Sequence, residues 1–386
     1  MADLIAEWNS SAGEWLAAAQ VAPAPARRLF AVLQTAVYGA VNAVTQRYPA
    51  GGMEPGSAQG ASLEAAVAAV HRNLLAALLP SQQAAVTAAF QAALSRVPPG
   101  AARDAGVVVG EKSAAALLAI RSDDLVDPPD SYRPATTPGV YVPTALPVAT
   151  SWSRRSPWQM PSAAQFRPDA PPAMDTPQWA RDYNEVKNFG GRDSKRRTPA
   201  QTTIARFWAD NSAMVYYGLV RAVSGQPNRD ITQNARLFMA AAQAADDATI
   251  AVFEAKYHYN FWRPLTAIRN GDLDAHEYTE RDAAWQPLIE TPMHPEYPCA
   301  HCANAAAVGA VLKAEVAGGS MPLLATHSAT GEGATRSWKS VEELVREVSD
   351  ARVFGGVHYR NSADVGTQMG RRTGELVASA LLVDAK

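Results

Sequence analysis

Cysteine is nearly absent: the 386 residues contain two, Cys299 and Cys302. Two cysteines cannot build the multi-bridge framework of small secreted domains, so the core has to come from packing. A basic excess is lacking as well. With 35 Lys plus Arg against 37 Asp plus Glu the formal charge is -2, which argues against a nucleic-acid partner and leaves any cationic site to be concentrated by folding. No apolar run is long enough to span a bilayer, and Met1 to Gln20 has no basic region ahead of an apolar stretch. The chain therefore reads as soluble, with no signal peptide and no membrane partner, while export stays open. Strand signals are scarce too. Short alternating runs such as Val140-Tyr141-Val142 predict at most a small hairpin.

What is present is helical. With 47% hydrophobic residues the chain can bury a large core. Apolar periodicity predicts helices over Ala26 to Val44, Ser62 to Leu79, Ser81 to Arg96 (Ser81 as N-cap) and Ala101 to Arg121. From Asp127 to Pro177 prolines crowd in, with Pro128-Pro129, Pro143, Pro147 and Pro171-Pro172 interleaved with Trp152 and Trp158, which predicts a long ordered loop. Helix returns from Thr198-Pro199 towards Val223 and from Asp230 to Tyr259. The expected class is all-α, helical bundles in one compact unit. The expected organisation is an N-terminal helical region over 1–125, the proline-rich loop over 126–177, and a C-terminal bundle over 178–386. A homo-oligomer is compatible with this pattern.

Three cassettes carry the chemistry. The first is Lys256-x6-Arg263-Pro264, embedded in Tyr257, Tyr259, Phe261 and Trp262. On one continuous helix Lys256 and Arg263, two turns apart, would point the same way, and Pro264 would end or bend that helix. The second is His294-Pro295-Glu296-Tyr297-Pro298-Cys299-Ala300-His301, where two prolines force an extended lead and small residues start a helix. Backbone N–H groups near Cys299 to His301 should then point at a bound anion. The third is Arg352-x5-His358, with Gly355-Gly356 breaking the helix between them and Asp364 a weak candidate to orient His358. Each alone has a bland reading: a solvated basic pair, a packed histidine, or, for Cys299-x-x-Cys302, a thiol-disulfide motif lacking its βαβ context. Together they collect three fixed cations and two imidazoles, with no carboxylate among the ligand candidates, an inventory suited to an oxyanion.

In that order the cassettes resemble the signature of the vanadium-dependent haloperoxidases and the related type 2 phosphatidic acid phosphatases: Lys-x6-Arg-Pro, Pro-Ser-Gly-His, Ser-Arg-x5-His. The aromatic run ending Phe-Trp-Arg-Pro, with Asn184-Glu185-Val186-Lys187 and Ala205-Arg206-Phe207-Trp208, looks like the haloperoxidase branch. The resemblance implies two four-helix bundles with the site in the second. It implies vanadate as cofactor, for which phosphate can substitute, held by Lys256, Arg263, Arg352, Cys299 and Ala300, with His358 as the axial ligand to the metal. Lys256, His301 and His358 would be the catalytic groups, His301 as acid-base residue, and His294 would tune halide choice. Hydrogen peroxide, a halide and a small organic substrate would be the reaction partners.

The sequence departs from that signature at three positions: Cys299 stands for Ser, Ala300 for Gly, and Ala351 for the Ser before the arginine. A thiol donates more weakly than a hydroxyl and should oxidise beside peroxide. The alternative readings are an acid phosphatase, in which His358 forms a phosphohistidine and His301 protonates the leaving group, and an oxyanion-binding protein without turnover.

Overall fold

A computed structural model of the chain describes residues 3–48, 56–121 and 130–382. Thirteen α-helices and one two-stranded sheet are found among these residues. The N-terminal helices are α1 (Leu4–Ala18), α2 (Pro23–Thr45), α3 (Leu63–Leu78), α4 (Gln83–Ser95) and α5 (Ala101–Ile120). Then follow α6 (Pro177–Gly190), α7 (Pro199–Phe207), α8 (Met214–Ser224), α9 (Ile231–Tyr259) and α10 (Pro264–Arg269). The chain closes with α11 (Ala300–Glu315), strands β1 (Leu324–His327) and β2 (Thr335–Trp338), α12 (Val341–Phe354) and α13 (Arg360–Leu381). The protein is all-α, as its periodicity predicts.

The helices α2, α3 and α5 pack on one another with α4 against α3, and α9, α11, α12 and α13 form a second group. The long contact of α2 with α9 joins them, so one apolar cluster runs from Ile5 through Val37, Leu74 and Phe238 to Val377. Local sequence explains the ends. Asp230 caps α9 by accepting the N–H groups of Thr232 and Gln233, and Thr198 with Gln201 closes a capping box on α7, with Pro199 at its first position.

Several expectations change. The stretch from Pro199 to Val223 is two helices, because the chain turns at 208–213, where the Asp210 side chain accepts the Ser212 N–H. Ser81 does not cap α4; it sits in a 3₁₀ turn, Pro80–Gln82, and α4 begins with no side-chain cap bond. Helix α1 escaped the periodicity reading. The hairpin is β1–β2, near the C-terminal helices, whereas Val140 makes only an isolated bridge to Phe261. Of the proline-rich segment, Asp127 and Pro128-Pro129 lie outside the described residues, as does the expected boundary at 125/126. Residues 130–150 are largely exposed, but the later part is packed: Trp152, Met160 and Phe166 are buried, and the carboxylate of Asp247 on α9 accepts the N–H groups of Trp158 and Gln159.

Helix α13 lies against α11 through three glycines. A methyl group at Gly366 would overlap the Cys299 carbonyl, at Gly370 the Ala303 carbonyl, and at Gly374 the Ala307 carbonyl. With no Cβ the two backbones approach closely, and this fixes the start of α11 relative to the start of α13. Gly370→Ala should therefore destabilise the protein by about 2–4 kcal/mol, read in denaturant unfolding, because the obstacle is backbone that cannot turn aside. A variant as stable as wild type would show that the helices separate freely.

His71 on α3 offers a second test. It is fully buried against Trp8, and burial lowers its pKa to about 4. An unfolded-state histidine titrates near 6.5, so above that pH both states are neutral. As pH falls from about 6.5 towards 4 only the unfolded chain binds the proton, and this residue removes roughly 1.4 kcal/mol of stability per pH unit. The acid-side loss of unfolding free energy should be shallower in His71→Leu than in wild type; parallel curves would contradict the assignment.

Candidate active site

The three cassettes converge. Helix α9 ends at Tyr259 with Asn260 in the left-handed region, so Lys256 lies in its last turn and Arg263 is the residue before α10, with Pro264 at that helix's first position. The two cations are thus not on one continuous helix, contrary to the expectation from their spacing. They still meet. Arg263 donates from NH1 towards His358 Nε2 at 3.3 Å and to the Val357 carbonyl at 2.7 Å, from Nε to the His294 carbonyl at 2.9 Å, and from NH2 to His294 Nδ1 at 3.0 Å. Lys256 Nζ donates to the carbonyls of Pro295 and Glu296, each at 2.8 Å. Arg352, in the last turn of α12, donates to the Trp208 carbonyl at 2.6 Å and keeps a buried Nε with no partner.

All three cations are buried, and none has a carboxylate bonded directly to it among the described residues. Burial lowers the pKa of Lys256 well below the usual amine range, with Arg263 and Arg352 adding to the fall. Burial likewise pulls Arg352 down to about 9, reinforced by Arg263, and Arg263 to about 10 against the opposing pull of Glu296. An anion among them would favour the charged form of all three.

His358 precedes α13. Its Nδ1 lies 2.7 Å from Glu296 Oε1, which also accepts the Tyr359 N–H at 3.0 Å. A carboxylate oxygen only accepts, so the proton sits on Nδ1 and the Nε2 lone pair faces Arg263 and the cavity. Burial holds the ring's pKa well below 6.5, with Arg263 and Lys256 adding to it, and pushes Glu296 up to about 7. The sequence reading gave Glu296 no role. It stands inside the second cassette, but its partner is 62 residues further on, and no local spacing reveals that pairing. Asp364, the weak candidate for the role, is not the group that bonds His358 Nδ1.

His301, in the first turn of α11, has Nε2 3.1 Å from the Asp210 carbonyl. A carbonyl can only accept, so Nε2 carries the hydrogen and Nδ1 the lone pair. Burial, followed by the charges of Arg352 and Arg27, keeps this ring neutral by lowering its pKa well below 6.5. His294 accepts from Arg263 at Nδ1, since a guanidinium only donates, and packs edge-on to Phe253 at 5.0 Å between centroids. His294, Ala300, His301, Arg352 and His358 line one cavity of about 370 Å³, and Lys256 and Arg263 are buried behind it.

Cys299 corrects the sequence reading. It caps α11, but it is joined to Cys302 in a disulfide, with Cα atoms 5.4 Å apart, and both residues are fully buried. The expected thiol donor is absent, because a disulfide sulfur has no hydrogen to give; Sγ instead accepts the Cys302 N–H. The Cys299 N–H is committed to the Ser362 carbonyl. The first N–H groups of α11, from Ala300 and His301, have no intrahelical acceptor and are the ones an oxyanion can take.

Four features fit a bound tetrahedral or bipyramidal oxyanion: clustered cations satisfied by carbonyls, an orphaned Arg352 Nε, free helix N–H groups, and an imidazole nitrogen with its lone pair turned to the cavity. Ala300, His301, Arg352 and His358 line the cavity in which such an anion would sit, and Lys256 and Arg263 lie buried behind them. This donor set suits vanadate or phosphate and not a bare metal cation, which three fixed positive charges would repel.

Comparison with known proteins agrees. Residues 236–382 match the family described as VCPO second helical-bundle domain. That match spans the C-terminal bundle and takes in all three cassettes. The whole chain is similar to the crystal structure of a bacterial vanadium-dependent iodoperoxidase, with TM-score 0.83 and 23% identity, over 99% of this chain and 98% of that one. Apo-type and holo-type structures of a bacterial vanadium-dependent chloroperoxidase give TM-scores of 0.77 and 0.75 at 14% and 15% identity, over 92% and 94% of this chain and 92% and 93% of theirs. These likenesses establish the shared fold. No curated protein matches the sequence.

Two outcomes follow from the geometry. Glu296→Leu leaves the His358 Nδ1–H only the longer contact to Ser362 Oγ, at 3.3 Å, and frees the ring to change tautomer, so phosphate affinity should fall by about tenfold, the scale of one lost charge-assisted hydrogen bond. Glu296→Gln, whose amide oxygen can still accept, should fall less in the same calorimetric titration; equal losses would deny the tautomer role. In the double variant Cys299→Ser, Cys302→Ala, a hydroxyl can cap α11 and donate to the oxyanion, and phosphate should bind about fivefold tighter, roughly 1 kcal/mol. Unchanged affinity would place the residue 299 side chain outside the oxyanion's reach.

Proposed function

We propose that the chain is a haloperoxidase-type enzyme that uses vanadate and hydrogen peroxide to oxidise a halide. The observation that carries this reading is His358 held by Glu296 at Nδ1 with Nε2 unprotonated and turned to the cation cluster, 3.3 Å from the Arg263 guanidinium. Vanadate, when bound, supplies an electrophilic centre at which peroxide becomes able to take two electrons from halide.

The chain's own residues do the rest. Arg263 and Arg352 hold oxyanion oxygens and fix their orientation, and Lys256, bonded only to carbonyls, adds positive charge that favours electron withdrawal. His301 is neutral with Nδ1 unprotonated, so it can accept a proton from incoming peroxide and return it to a departing oxygen. His294, bonded to Arg263 and packed on Phe253, stands on the cavity wall where a halide would approach, which supports a part in halide choice.

The test is to incubate the protein with orthovanadate and follow iodide and bromide oxidation beside phosphomonoester hydrolysis. Halide oxidation that depends on vanadate is the expected result. Hydrolysis without halide oxidation would select the phosphatase reading, and oxyanion binding with neither activity the non-catalytic one. In the same assay His358→Ala should abolish tight vanadate binding, whereas His301→Ala should keep binding within a few fold and lose at least about a hundredfold in turnover, the usual worth of a proton-transfer group. Equal loss of binding in both would contradict this division of roles.

A further inference from the structure

The cavity is larger than an inorganic oxyanion and a peroxide molecule fill, and about 370 Å³ lies within the range of small-molecule sites. Away from the cradle part of its wall is apolar: Pro147, Val148 and Trp152 from the proline-rich loop, and Phe253 from α9. Trp152 and Phe253 are buried in the protein. On the same wall sits a fourth cation, Arg27 of α2, which no cassette contains.

Arg27 is 6% exposed, its Nε is buried with no hydrogen-bond partner, and its NH2 group bonds only to neutral Asn211, at 3.2 Å to the carbonyl and 3.3 Å to Oδ1. The nearby carboxylates are occupied elsewhere. Asp246 is paired with Arg28 at 2.7 Å, and Asp210 accepts the N–H groups of Ser212 and Ala329. A structural reading, in which Arg27 merely ties α2 to the 208–213 turn, accounts for NH2 and leaves Nε unexplained. A guanidinium withdrawn from water without an anion is costly, and here it borders a cavity.

Resting on the haloperoxidase-type reading above, we propose that this cavity binds a small organic anion. The Arg27 fork takes its carboxylate or phenolate oxygen, and Trp152, Phe253 and the proline-rich loop hold its apolar body beside His301. Asp130, the other ionisable group on this part of the wall, is exposed and accepts the Tyr132 N–H, so solvent screens it. Bound there, an organic acid faces the oxyanion instead of meeting a diffusing oxidant.

Calorimetry with benzoate and benzyl alcohol, both in saturating phosphate so that the cradle is occupied, tests the proposal. Benzoate should bind at least tenfold more tightly than benzyl alcohol. Arg27→Gln should remove that preference, Arg27→Lys should restore part of it, and Trp152→Ala should weaken both ligands. Circular dichroism checks that each variant is folded, and the Trp152→Ala and Arg27→Lys arms carry the test if Arg27→Gln is not. Benzoate that is undetectable, displaced by phosphate, no tighter than the alcohol, or indifferent to Arg27 overturns the proposal. A separate phosphate titration reports on the cradle alone, so failure of the oxyanion site and failure of the organic-anion site give different results.

Discussion

The active-site half of the molecule depends on keeping Lys256, Arg263 and Arg352 buried and charged without neutralising them. Ion pairing would satisfy them, yet it would cancel the field that draws an anion. The fold uses carbonyl dipoles instead: Pro295, Glu296, His294, Val357 and Trp208 all turn their oxygens to the three cations. A dipole meets the hydrogen-bonding requirement of a cation and leaves its net charge in place. The one carboxylate admitted to the cluster, Glu296, spends its bonding on His358 and the Tyr359 N–H. The result is a buried cluster of uncancelled positive charge, complementary to an anion.

Those carbonyls belong to irregular segments, which need rigid support to stay aimed. The lead into α11 is held from both ends: Glu296 grips the start of α13, and the Cys299 N–H bonds the Ser362 carbonyl one turn into that helix. Gly366 and Gly370 let the two helices touch along this line. Gly356, at φ 78°, performs a similar service, since a side chain there would strike the Gly190 carbonyl of α6, and this turn brings His358 back towards Arg352. Packing density near the site is thus what converts three sequence cassettes into one set of converging donors.

How much of this was legible follows from distance along the chain. Lys256, Arg263, His301, Arg352 and His358 could be found because each cassette is short and its spacing survives folding, even where the continuous helix assumed between Lys256 and Arg263 does not exist. The helices of the bundles were legible for the same reason, since α3, α5 and α9 each carry their own periodicity, and α3 and α9 their own side-chain caps, Ser62 and Asp230. Glu296 and Arg27 were not. Glu296 acquires meaning from a histidine 62 residues away, and Arg27 reaches the site from a helix whose sequence reads as an ordinary amphipathic core helix. The break at 208–213 was hidden because apolar spacing continues across it, while the turn is set by Asp210 and by side chains that pack from β1 and α12.

The cysteine pair changes the chemical balance at the site. A thiol at position 299 would sit next to the proposed oxidant and be consumed by it, whereas a disulfide presents no thiolate to peroxide. The same bond removes a side-chain donor where the resembled signature carries a serine hydroxyl. Oxygens that such a hydroxyl would meet must rely on the N–H groups of Ala300 and His301 and on the cations. Charge-assisted bonds are roughly twice as strong as neutral ones, so the loss of one hydroxyl is small against three retained cations. The substitution therefore bears on durability and fine affinity more than on whether the pocket can hold an oxyanion, and the geometry that decides the chemistry stays with His358, Glu296 and His301.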